Sequence, residues 1–111
     1  MAKTTVIVVV AAFCAFVVGE PALRVCKDEG WCPKDCMDVE TVQPVCNIIR
    51  MDWNDVAMSV ETFGRCMKVY EHINCEGAHY EVGSTKAKNN NCTHFFSKCG
   101  FGKMMTTFKP C

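Results

Sequence analysis

The sequence predicts an all-β domain, a small sandwich stapled by disulfides. Two patterns and one count carry that expectation. Past residue 19 no segment keeps a long helical period. The apolar residues fall instead in short runs bounded by turn residues, and several runs alternate apolar and polar as half-buried strands do. Ten cysteines in 111 residues is the density of a small domain folded in an oxidising compartment.

The candidate strands, in order, are residues 22–26 (ALRVC), 46–51 (CNIIRM), 57–63 (AMSVETF), 66–71 (CMKVYE), 78–83 (AHYEVG) and 104–109 (MMTTFK). β-Branched, aromatic and apolar residues populate each of them, and strands at this spacing suit a sandwich or barrel. Residues 84–91 (STKAKNNN) are a polar loop. The mixed stretch 36–42 (CMDVETV) reads as a short helix in a connection.

The start of the chain reads as a secretory signal. Lys3 precedes an apolar run over residues 6–18, and Val17 and Gly19 place modest or small residues before a cleavage point after Gly19. Thirteen apolar residues fall short of the about 20 that a membrane span needs. The expected organisation is a signal peptide at 1–19 and one secreted, extracellular domain at 20–111. Cys14 leaves with the signal. Nine cysteines remain: Cys26, Cys32, Cys36, Cys46, Cys66, Cys75, Cys92, Cys99 and Cys111. Four bridges would use eight, each worth about 2–4 kcal/mol; the odd thiol allows a disulfide-linked dimer. The spacing does not say which cysteines pair.

Charge narrows the partners. Residues 20–61 carry four basic and nine acidic side chains, and residues 62–111 carry seven basic and three acidic. The sum is close to neutral, which disfavours nucleic acid and does not favour a membrane surface. Opposite halves attract each other, the plainest use of such a dipole.

The chain also repeats itself. Laying Val25 on Val69 puts Cys26 on Tyr70, Trp31 on Cys75 and Pro33 on Gly77. Further on, Phe101 lies on Trp53, and Thr106 and Thr107 face Met58 and Ser59 with one residue of slip. The repeat divides the domain into motif one, about 22–62, and motif two, about 65–111.

These residues resemble the Greek-key motif of the βγ-crystallin superfamily. That motif opens with an aromatic, four residues, a bulky residue, one more and a glycine; YEHINCEG from Tyr70 to Gly77 fits, with Cys75 at the bulky place. It closes with paired Asn or Asp, two residues and two hydroxyls; NDVAMS from Asn54 to Ser59 fits, with Met58 in place of the first hydroxyl. Ser97 in FFSKC resembles the serine that steadies the hairpin. The resemblance implies two Greek-key motifs forming one βγ-crystallin-like sandwich. Its hairpin folds over Tyr70, and Gly77 takes positive φ, which glycine adopts at little cost. The closing CGFGKMMTTFKPC is similar to small plant antimicrobial proteins of this fold, although those are strongly basic.

The resemblance also implies calcium. Asn54, Asp55 and Ser59 match a half-site, weakened because the thioether of Met58 is a poor ligand for a hard cation. Gly102 and Lys103 spoil the second copy. No other cofactor is implied. No nucleophile motif appears, so an enzyme is not expected. Asn91-Cys92-Thr93 is an N-glycosylation sequon. Trp31 is expected in the core, as tryptophan mostly is. The expected function is binding of an unidentified extracellular target in defence, antimicrobial, effector or toxin-like. The alternatives are a calcium-stabilised structural module and a proteinase inhibitor presenting the loop 27–36.

Overall fold

In a computed structural model of the protein, residues 20–111 are described throughout. Before them only two strands are, Ile7–Val9 (β1) and Ala15–Val17 (β2), paired antiparallel. Cys14 and the cleavage point expected after Gly19 lie outside the described residues.

Among the described residues there is no α-helix. The domain is all-β, with two antiparallel sheets. One contains Leu23–Cys26 (β3), Cys36–Val39 (β4) and Ser59–Glu61 (β6), in the order β4-β3-β6. The other contains Asn47–Ile48 (β5), Met67–His72 (β7), Glu76–Val82 (β8) and Thr107–Pro110 (β9), in the order β5-β9-β7-β8. Each predicted run overlaps a strand; four of the six strands are shorter than their runs, while β8 starts two residues earlier than expected, at Glu76. The stretch 104–109 begins its strand only at Thr107 because Lys103, at φ 61°, turns the chain just before it.

The helix expected at 36–42 is a strand. Cys36 sits directly opposite Cys26 in the β3–β4 ladder, and the same register sets Met37 against Val25 and Val39 against Leu23. The Cys26–Cys36 bridge and the ion pair of Arg24 with Asp38 (2.7 Å) cross that ladder. Tertiary pairing overrides a weak local preference here.

The two motifs exchange parts. β5 belongs to motif one yet pairs with β9 of motif two, Asn47 opposite Phe108 and Ile48 opposite Thr107. In return, residues 93–96 of motif two lie along β6: the Val60 amide donates to the Thr93 carbonyl at 2.9 Å, and the Phe96 amide to the Met58 carbonyl at 2.9 Å. Leu23, Val25 and Val60 of one sheet and Met67, Val69, Val82 and Phe108 of the other are buried between them with Trp53, Phe96, Phe101 and Met105. Phe96 and Phe101 meet edge to face with ring centres 5.3 Å apart, a favoured arrangement for aromatic pairs.

Four bridges between described residues brace this small core. Cys26–Cys36 clips the first hairpin, Cys46–Cys75 ties β5 to the second, Cys66–Cys111 anchors the chain end to the start of β7, and Cys92–Cys99 closes the segment between them. Cys32 is not a free thiol either. Such a set fits an oxidising, extracellular setting.

The second hairpin behaves as its residues predict. Tyr70 is buried and stacks on His79, ring centres 5.1 Å apart. Gly77 has φ +85°, and a β-carbon there would lie 2.5 Å from His72 Cδ2. Gly83, at φ +92°, is more confined: a β-carbon would lie 2.4 Å from the backbone oxygen of Arg65. Gly77→Ala is expected to cost about 1–3 kcal/mol in urea unfolding. Gly83→Ala is expected to cost more, because a backbone carbonyl cannot swing away as the His72 ring can.

Candidate functional site

Two hydroxyls hold the hairpins down. Ser59 Oγ donates to the Asp28 carbonyl at 2.7 Å, and Thr107 Oγ1 donates to the His72 carbonyl at 2.6 Å. Asp28 lies two residues past Cys26, as His72 lies two past Tyr70, so the bonds are equivalent. Trp53 and Phe101 are then offset by the same number of residues as Ser59 and Thr107, and the expected slip is not needed. The hairpin-steadying residue of motif two is therefore Thr107. Ser97, assigned that role from sequence, is exposed, and its amide donates to Glu29 Oε2 at 2.8 Å.

Ser59, expected in the same cation set as Asn54 and Asp55, is buried with its hydroxyl donating to the hairpin, and it does not line the cleft that those two line. Asn54 and Asp55 instead meet the other motif. The Asp55 amide donates to the Met105 carbonyl (3.2 Å) and the Lys103 amide to the Ala57 carbonyl (2.9 Å), a reciprocal pair between loops in which Asp55 and Lys103 share φ 61°. This exchange sets Asp55 against Thr106, whose Oγ1 donates to Asp55 Oδ1 at 3.4 Å. Asn54, Asp55, Thr106 and Glu71 line a cleft of about 590 Å³, with Lys103 and Ile73 also on its wall. At the equivalent place in the other loop, Gly102 faces the thioether of Met58, whose Sδ would lie 2.9 Å from an added β-carbon. The oxygen donors have gathered on one side.

Asn54 Oδ1 is buried and has no hydrogen-bond partner, while Asn54 Nδ2 donates to Asp55 Oδ2 at 3.3 Å. A buried acceptor without a donor is costly unless something cationic or protic meets it. Oxygen donors of this kind suit a hard divalent cation, and the ammonium of Lys103 opposes one. Elsewhere among the described residues, Cys66, Glu81 and Cys111 bring ligand-type atoms together, but both cysteines are spent in their bridge.

The second notable surface is the loop after β3. Trp31 is not in the core; it is 60% exposed. The loop buries too little to cover an indole, and the ring rests on its neighbours instead. Its centre is 4.4 Å from that of His94 and 6.2 Å from that of Phe95. The loop is braced throughout. Asp28 carboxylate oxygens accept the Lys34 amide (2.9 Å) and the Asp35 amide (3.3 Å), and the Lys34 bond chiefly holds the carboxyl below its ordinary range. The Gly30 amide donates to the His94 carbonyl at 2.9 Å.

Asn91 is exposed, as a glycan acceptor must be. Thr93 of the same sequon is buried, its Oγ1 donating to the Asn90 carbonyl at 2.7 Å and accepting from the Gly83 amide at 2.9 Å. A transferase that reads the threonine hydroxyl must act before this part folds.

Burial pushes the His94 imidazole below its ordinary 6.5, against the opposing pull of Glu61, whose Oε1 lies 3.9 Å from Nε2. The unfolded chain therefore takes up a proton that the folded His94 resists. This contribution to stability is complete above pH 6.5 and is lost as the pH falls from there toward the lower folded value. A thermal melt series from neutral to mildly acid pH is expected to show that loss, and His94→Gln is expected to flatten it.

No family model matches the chain, and no curated protein matches it. Solved structures do. A βγ-crystallin from an archaeon aligns with TM-score 0.58 at 17% identity, covering 84% of this chain and 100% of that one. A βγ-crystallin from Ciona intestinalis aligns with TM-score 0.53 at 15% identity, covering 80% of this chain and 98% of that one. At such identities the likeness is one of fold.

Proposed function

We propose that this βγ-crystallin fold serves as a secreted, non-catalytic binding protein that acts on another organism, in defence or antagonism. The observation that carries the reading is Trp31, exposed on a loop held by a bridge, a hydroxyl staple and an Asx-type turn. A rigid aromatic anchor loses little entropy on binding, and such residues dominate many interfaces. The lysine ammonium of Lys98 lies 4.4 Å from the Phe95 ring centre, so the aromatic surface has a cationic border. Oxidised protein is expected to inhibit growth of susceptible microbes in low salt, and Trp31→Ala to lose the effect while keeping its melting temperature. No inhibition at high micromolar protein, or full activity of the variant, counts against the reading.

A second reading has its own observation, the buried partnerless Asn54 Oδ1 beside Asp55 and Thr106. In this reading Asn54, Asp55, Glu71 and Thr106 hold a calcium ion, which when bound cross-links the two motifs and stabilises the fold by mass action. Lys103 weakens that site, because it lines the same cleft and carries a charge of the same sign as the ion. Millimolar calcium is expected to raise the melting temperature of the wild type slightly. Removing the positive charge in Lys103→Gln is expected to tighten calcium binding at least about tenfold, read by calorimetric titration. An unchanged melting temperature in both proteins removes calcium from the account.

A further inference from the structure

Five large apolar side chains stand exposed among the described residues, and four of them share one end of the molecule: Val45 (60%), Ile48 (61%), Met51 (75%) and Ile73 (58%). Val45 adjoins Cys46 and Ile73 precedes Cys75 by two, and the Cys46–Cys75 bridge joins those segments. Ile48 is opposite Thr107, whose hydroxyl donates to the carbonyl of His72, the residue before Ile73. Met51 opens the 3₁₀ turn Met51–Trp53 that leads directly to Asn54, and Ile73 lines the same cleft as Asn54. Two segments remote in sequence, residues 45–51 and the turn at Ile73, thus bring aliphatic side chains to neighbouring surface. None is needed by the core, which lies on the opposite side of β5, where Ile49 is buried.

We infer that this surface is a self-association face, and that its partner is a second copy of the chain. Three features select that occupant. The face lies on β5, one of the two edge strands of its sheet, and a sheet edge carrying an exposed isoleucine is the kind of edge that proteins otherwise cover or charge. Its border is polar and of mixed sign: Arg50 and Asp52 are paired at 2.6 Å beside Met51, Glu71 is next but one to Ile73, and Lys109 is on β9 next to β5. Two positive and two negative groups cancel, so two copies meet without net repulsion, whereas an anionic lipid surface or a nucleic acid rewards a positive face. An apolar centre containing methionine inside a charged rim is also the anatomy of a protein–protein interface. A two-fold axis through such a patch makes it self-complementary and closes the assembly at a dimer. The contact needs no cation and no intermolecular disulfide.

The experiment is sedimentation velocity on the oxidised mature protein over a range of concentrations, in EDTA, with a non-reducing gel in parallel. A concentration-dependent dimer that runs as a monomer on the gel is expected. Ile48→Ser combined with Ile73→Ser is expected to weaken the dimer at least about tenfold. Both positions are exposed, so the melting temperature of the variant serves as the control for folding. Co-sedimentation with phosphatidylcholine vesicles, with and without phosphatidylserine, tests the competing occupant. A monomer at every concentration overturns the inference, as does a covalent dimer, or a dimer that the double variant leaves unchanged. Vesicle binding that the variant abolishes, with no dimer, assigns the face to lipid and overturns it too. Microbial inhibition does not enter these outcomes, so failure here leaves the binding reading of Trp31 standing, and the reverse.

Discussion

Neither half of this chain completes its own sheet. Motif one sends β5 to β9, and motif two lays residues 93–96 along β6. Every one of those hydrogen bonds joins groups far apart in sequence. A backbone amide or carbonyl buried without a partner is expensive, so each motif needs the other for more than apolar contact. The core follows from that exchange. Leu23 and Val25 of the first motif share one buried cluster with Phe96 and Phe101 of the second, and Phe108 pairs with a strand from the first.

The exchange also explains why the site is lopsided. The closing loops of the two motifs grip one another through reciprocal amide-to-carbonyl bonds. Each loop's acidic or amide pair therefore meets the hydroxyl position of the other loop, not its own. Asn54 and Asp55 receive Thr106; Gly102 and Lys103 receive Met58. Two partly degenerate half-sites in sequence become one oxygen-lined cleft and one close contact of Gly102 with a thioether. Lys103 lines that cleft too, and in the calcium reading its positive charge opposes a divalent ion.

The repeat and the hairpin glycine were legible because they are local. Tyr70, Cys75 and Gly77 stand at spacings that one turn of backbone requires, and the positive φ at Gly77 follows from that turn alone. Strand positions were legible for the same reason: alternation within four to seven residues reflects one face against a core. The β4 strand was not, because CMDV gains its extended form from Cys26, Val25 and Leu23 across the ladder. Nor was Trp31, whose residue type argues for burial while its loop lies on the surface. The role given to Ser97 failed because the hairpin carbonyl is reached from β9, by Thr107.

By itself the sequence determined a cysteine-rich, all-β chain of two similar motifs, with a folded hairpin pinned at Gly77. These are properties of spacing and composition, which chain neighbours enforce on one another. Tertiary structure alone decided which cysteines pair, which motif's hydroxyl faces which motif's carboxylate, and which apolar residues are left outside. Each of those is a matter of distance between segments remote in sequence. Strand exchange sets these distances, and no local pattern in the chain encodes them.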